Sequence, residues 1–297
     1  MTESAVRHLA YARNVPRVAA GLFETFVQIW DVESGVLLRQ LETVLEFGGR
    51  RLTMSNDGSS CIAAAWRGGP HGGVCRYDTE SGAIVWHRPD LAETQRIVLS
   101  PDESNVWWMP DTGALLRLDA STGETIDALK DIRRIVESRD ATMRLLQRRH
   151  GGYILEGAGT VQLHQHSFGL LSAAFSETSV CISEAGSSVR CFSAEGTERW
   201  RYEPGFGAHV LHMWYSNSQQ RFYAVRYDYR NGGHHLLTLD PQDGSHGNLT
   251  NLGDEDVDVS PEQDRLIATD GSVYELSSGS IVARLDFPRR EVAIKDG

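Results

Sequence analysis

The sequence predicts an all-β chain, a seven-bladed β-propeller of four-stranded antiparallel blades. Three observations predict it. Short hairpins closed by a glycine turn recur at a nearly constant spacing. A serine-led polar turn precedes each hairpin. No segment carries clear amphipathic helical periodicity.

The hairpin is clearest from Val27 to Leu41, where alternating residues lead to Trp30 and Asp31, a polar turn ends at Gly35, and a second short strand follows. Alternation sets one face toward a core, and glycine supplies a backbone angle that other residues resist. Copies end at Asp78 with Gly82, Asp119 with Gly123, Ser193 with Gly196, Asp240 with Gly244 and Leu276 with Gly279. A weaker copy runs from Tyr153 to Glu156 with Gly159. Successive turn glycines lie 35–48 residues apart, a period near the ~40–45 residues of a propeller blade. The serine turns begin at Ser55, Ser100, Ser138, Ser176, Ser216 and Ser260, and residues 13–16 hold that place in the first unit. They alternate one for one with the glycine turns, which admits the weak unit around Tyr153 as a blade.

Each unit divides into strands A to D, counted from the inside outward. The first is Val6 to Ala12, Arg17 to Phe23, Val27 to Asp31 and Val36 to Leu41. The second is 51–55, Cys61 to Trp66, Val74 to Asp78 and Ala83 to His87, and the third is Arg96 to Leu99, Asn105 to Met109, Leu115 to Asp119 and Glu124 to Leu129. The fourth is Arg134 to Glu137, Met143 to Gln147, Tyr153 to Glu156 and Thr160 to His166. Apolar residues between Asp131 and Gln147 are also spaced for a helix, but the turn at Ser138 interrupts them in step with the other units. The fifth is Leu170 to Phe175, Val180 to Ser183, Val189 to Phe192 and Glu198 to Tyr202. The sixth is Val210 to Tyr215, Arg221 to Tyr227, His235 to Leu239 and Gly247 to Thr250. The seventh is Asp256 to Val259, Arg265 to Thr269, Val273 to Leu276 and Ser280 to Leu285. Residues 1–297 thus read as a single propeller domain. Arg290 to Lys295 reads as one further strand, pairing with the other end of the chain to close the ring.

The net charge is −11, so the surface is acidic. That argues against nucleic acid and against anionic membrane, both of which need basic surface, and it favours a basic protein partner. The first residues lack the apolar core of a signal peptide, and no apolar run is long enough to span a bilayer. The expected location is the cytoplasm. Cys61, Cys75, Cys181 and Cys191 all fall in predicted strands, which reads as buried free thiols in a reducing compartment. With no Cys-x-x-Cys there is no zinc motif.

Trp30-Asp31 and its surroundings resemble the WD-repeat. Leu118-Asp119 leading to Gly123, and Tyr77-Asp78 leading to Gly82 with Trp86 beyond it, resemble the quinoprotein-type propeller repeat equally. Both resemblances imply a fold rather than an activity. Quinoprotein dehydrogenases usually have eight blades and adjacent cysteines. Seven units and no Cys-Cys pair give no ground for their cofactor, and no cofactor is expected.

The aspartates at 31, 78, 119 and 240 recur in register, which reads as acceptors tying down turn amides. Trp86 and Trp200 occupy matching outer strands and read as packing between blades. His164 and His166 share one strand face but have no third ligand assigned, and the rings of His234 and His235 should diverge. No metal site is expected. No nucleophile-elbow, phosphate-loop or zinc-protease motif occurs.

In a propeller the B–C and D–A connections share one face. Here they carry Trp66, Arg67 and His71, then Met109, then Arg148 and His150, then Phe206, Tyr229, Arg230 and His234. Aromatic and arginine side chains are the usual anchors of interfaces. The expected function is a non-catalytic, monomeric binding module or scaffold for a protein or peptide, in a narrower form a neutralising, immunity-type partner. The rival is a lactonase- or hydrolase-like propeller enzyme acting on a small molecule at the central channel. Converging carboxylate, histidine and arginine side chains at the channel mouth would favour the rival.

Overall fold

The structure, a computed structural model, describes residues 3–4, 6–22, 26–45, 51–65, 71–92, 94–110, 113–157, 159–163, 169–185, 188–230, 232–253, 257–260, 264–287 and 289–290. Among these residues there is no helix. The strands form seven four-stranded antiparallel sheets, each paired in chain order, so the predicted blades are present. The segment that invited a helix holds two strands, Ile132–Glu137 and Arg144–Arg148. The outer strand of blade 4 ends at Leu163, and the remainder to His166 lies outside the described residues. In blade 6 strands A and B, Ala208–Ser216 and Arg221–Asp228, run longer than expected.

Strand A is innermost: Val6–Tyr11 lies between Arg51–Met54 and Val257–Ser260, and Leu170–Phe175 lies beside Ala208–Ser216. The middle strands differ from the expected one-sided pattern, because both of their faces are buried. Ser60–Ala64 and Ser179–Glu184 are buried at every position. Strand period two explains this. Cys61 and Ala63 pack toward blade 1, while Ile62 and Ala64 pack toward blade 3.

Among the described residues the buried apolar side chains fall into seven clusters, and each straddles one interface between neighbouring blades. The cluster that joins blade 7 to blade 1 is of the same kind as the rest. It sets Ile267 and Val273 against Val18, Ala20 and Trp30, with Phe287 beside them. The chain ends also meet, as Glu3 and Ser4 pair antiparallel with Arg290 and Arg289. Residues 291–295 of the expected terminal strand lie outside the described residues.

The serine turns hold strand A to strand B. Ser55 Oγ donates to Asp57 at 2.8 Å and accepts from the Ser60 amide at 2.9 Å. Ser100 with Asp102 and Ser138 with Asp140 repeat the arrangement in blades 3 and 4. The recurrent aspartates do for strands C and D what these serines do for A and B. Asp31 accepts from the Ser34 amide at 2.7 Å, Asp78 from the Ser81 amide at 2.6 Å, and Asp119 from the Thr122 amide at 2.9 Å.

Candidate functional site

Blade 6 builds the most developed part of the face carrying the B–C and D–A connections. Its strand A is entered through Gly205-Phe206-Gly207. Both glycines have positive φ, +95° and +81°, and turn Phe206 out to 86% exposure. The B–C connection runs through Tyr229 and Arg230 to Gly233. It is tied down by the Tyr229 amide on the Gly207 carbonyl at 2.9 Å and the Arg230 amide on Asp228 at 2.9 Å. The two connections therefore lean on each other.

The guanidinium of Arg230 lies over the Phe206 ring at 4.5 Å from its centroid. Tyr229, 61% exposed, meets His209 edge-on at 5.0 Å and Tyr227 edge-on at 4.7 Å. Tyr227 in turn leans on His234 at 4.8 Å. The result is a run of rings in edge-on and tilted contact along strands A to C and the B–C connection.

Four of the candidate contacts, Phe206, Tyr229, Arg230 and His234, are thus brought together. The first three present surface. His234 is only 6% exposed and supports the cluster from behind, so it offers no area to a docked partner. Met109 needs the same correction: at 1% exposure it packs with Trp107, Leu115 and Ile135 at the interface of blades 3 and 4. His71 is exposed on blade 2, apart from this cluster. Arg148 is half-buried at the end of strand B in blade 4, and His150 beyond it is exposed, with Nε2 3.9 Å from Asp131. Trp66 and Arg67 lie outside the described residues, as do His164 and His166. Tyr227 was missed because it lies in a predicted strand, although its strand-alternate partner Tyr229 was the available signal.

The channel opens on the same face. Its mouth holds a cavity of about 250 Å³ lined by Arg51, Gln95, Arg96, Arg133, Arg134 and Gln147, among others. No carboxylate belongs to this lining among the described residues. Glu184, beside it in the chain, is buried and accepts the Tyr153 hydroxyl at 2.8 Å. At the opposite mouth Glu137 accepts the Trp107 indole at 3.0 Å, and burial raises its carboxyl above the usual range. Among the described residues no group of three or more His, Cys, Asp or Glu is placed to hold a metal.

No family model matches the sequence, and no curated protein matches it. Solved structures do match. The β-propeller domain of Cps50 (Swd1) from Myceliophteria thermophila superposes with a TM-score of 0.69 at 14% identity, covering 94% of this chain and 96% of that one. The C-terminal WD40 domain of Sif2 gives 0.66 at 14% identity, covering 89% and 78%. The computationally designed Ika8 protein gives 0.64 at 16% identity, covering 95% and 86%. At the level of fold, the chain is a WD-repeat-like, seven-bladed β-propeller.

Proposed function

We propose that the protein is a binding module that recognises a protein or peptide on the face formed by its B–C and D–A connections, with the blade 6 rim as its anchor. The observation that carries this reading is the exposed pair of Phe206 and Arg230 with Tyr229 beside them. Aromatic rings and an arginine fork give a large contact area with few rotatable bonds, the usual composition of interface hot spots. Such residues exposed together on a rigid blade, rather than scattered, mark a surface that is covered in use. The net charge of −11 favours a partner with basic groups around that anchor. The buried free thiols suit a reducing compartment such as the cytoplasm.

The test is parallel affinity capture from the native host with the wild-type chain and a Phe206→Ser/Tyr229→Ser variant. A protein retained by the wild type and lost by the equally folded variant supports the reading. Equal retention by both moves the interface elsewhere.

A further inference from the structure

A second feature of this face belongs to the channel and not to the rim. The residue four before the A–B serine is Arg51 in blade 2, Arg96 in blade 3 and Arg134 in blade 4. In blade 1 Ala12 takes the place of the serine, bonding Arg17 as Ser55 bonds Ser60, and the equivalent residue is His8. Four consecutive blades therefore carry a basic side chain at one register. The strand pairing shifts immediately before this register in blades 1, 3, 4, 5 and 6, so the bulge belongs to the fold, and in blades 1, 3 and 4 it falls at His8, Arg96 and Arg134. A bulge of this kind re-aims a side chain, and bulges concentrate beside binding sites.

These residues meet. An Arg51 guanidinium nitrogen lies 3.2 Å from His8 Nε2. Arg134 donates to the carbonyls of Leu170 and Leu171, which fixes its guanidinium against blade 5. With Arg133 the three arginines line the single 250 Å³ cavity, and the amides of Gln95 and Gln147 join them there. Burial first, and then the charges of Arg96, Arg133 and Arg51, bring Arg134 down to about 9, which leaves it charged at neutral pH. Gathering like charges in a partly dry cavity opposes folding, and it does so here in a chain whose net charge is −11. A bound anion offsets that repulsion.

We propose that the channel mouth is a binding site for a phosphoryl group, held by the guanidinium groups of Arg51, Arg96, Arg133 and Arg134. Arginine forks match the paired oxygens of a phosphate, and the glutamine amides supply neutral donors. At about 250 Å³ the cavity falls below the ~300–1,000 Å³ of pockets that enclose a drug-sized ligand. It therefore takes a charged head and leaves the remainder of the ligand outside. That head belongs either to a small phosphate monoester or to a phosphorylated side chain. A polyphosphate backbone is disfavoured by the acidic surface around it.

The test is calorimetric titration of the purified chain at fixed ionic strength with three probes: inorganic phosphate, O-phosphoserine, and a serine peptide in phosphorylated and unphosphorylated forms. Arg96→Gln and Arg133→Gln serve as variants because both positions are exposed and their loss leaves the core intact. Saturable one-to-one binding of a phosphorylated probe, weakened at least about tenfold by each variant with a melting temperature no lower than that of the wild type, is the expected result. Binding of O-phosphoserine identifies a small monoester as the source, and binding confined to the phosphopeptide identifies a modified partner. Three results overturn the site: no probe saturates, Arg96→Gln and Arg133→Gln both bind as the wild type does, or the unphosphorylated peptide binds equally. The rim variant Phe206→Ser/Tyr229→Ser should bind O-phosphoserine normally, which separates this site from the rim.

Discussion

The indole of Trp86, on the outer strand of blade 2, donates to the carbonyl of Ala120 in blade 3 at 2.9 Å and lies beneath the turn at Gly123. A Cβ on Gly123 would stand 2.8 Å from the ring. Trp200 repeats the relationship three interfaces further on, between blades 5 and 6, bonding the Pro241 carbonyl at 2.9 Å beneath Gly244. Both tryptophans pack between blades, as the sequence suggested. Gly123→Ala should therefore combine a left-handed backbone cost of about 1–2 kcal/mol with an overpacking cost of about 1–3 kcal/mol. Gly113 has a φ of +91° with open space around its missing Cβ, so Gly113→Ala should show the backbone cost alone. Chemical denaturation of both variants checks this, and equal losses would remove the tryptophan from the account.

The rim predicts a separation between binding and stability. Phe206→Ala and Arg230→Ala should each weaken capture of the partner by about 1–3 kcal/mol. Neither should lower stability by more than about 1 kcal/mol, because an exposed cation–π pair is worth about that or less. A titration of the captured partner beside a thermal melt decides it. A variant that loses both together would make Phe206 a structural residue.

The aspartate turns predict an acid limb. Amides and hydroxyls hold Asp31, Asp78 and Asp119 below the usual carboxylate value, led by the Ser34 amide, the Ser81 amide and the Ser121 hydroxyl respectively. A lowered folded value means the unfolded chain takes up protons first as pH falls. The contribution is present above the unfolded value of about 4 and is lost as pH drops through the folded value. Melting temperature should hold from neutral pH to about 5 and then decline. The triple variant Asp31→Asn/Asp78→Asn/Asp119→Asn should start lower and decline less steeply. A parallel decline would place the acid sensitivity elsewhere.

The blades were legible because most repeat two local devices, a serine that closes A to B and an aspartate–glycine turn that closes C to D, and no blade lacks both a polar A–B turn and a glycine C–D turn. Both act within a few residues of sequence. The rim was partly legible, since Phe206, Tyr229 and Arg230 sit in connections between strands. Met109 and His234 were misjudged because the end of a strand and the start of a loop look alike in sequence, while burial depends on the neighbouring blade. Arg51, Arg96 and Arg134 were hidden for a different reason. Their equal distance from Ser55, Ser100 and Ser138 was visible, but nothing local in the sequence marks the bulge before Arg96 and Arg134 or the convergence of separate blades on one channel.

The cysteines predict chemical silence in the folded state. Burial pushes Cys61 up to about 12 and Cys75 to about 11, and raises Cys181 well above its usual value. Cys181 and Cys191 lie directly opposite on paired strands, yet all four thiols are free. A raised value suppresses thiolate attack at Cys61, Cys75 and Cys181, whereas the hydrogen bond with Cys181 holds Cys191 below its usual value and leaves the closed core as its protection. Iodoacetamide should label the native protein slowly and label four thiols after denaturation. Rapid native labelling of Cys75, or a count of two after denaturation, would contradict this.

Closure of the ring rests on Phe287 more than on the terminal pairing. Its ring meets Trp30 of blade 1 edge-on at 5.6 Å, and it is 5% exposed within the cluster that joins blade 7 to blade 1. Among the described residues the pairing of 3–4 with 289–290 covers two positions. Truncating a buried phenylalanine costs about 3–5 kcal/mol, because both the transferred area and the cavity left behind count. Phe287→Ala should therefore lower stability by about that amount. Removing residues 289–297, which leaves Phe287 in place, should lower it by much less. A ring packs each blade against two neighbours, so the loss at this one interface should appear as a shift of a single cooperative transition. If the truncated chain instead unfolds as readily as Phe287→Ala, the terminal strands close the ring and the aromatic pair only decorates it.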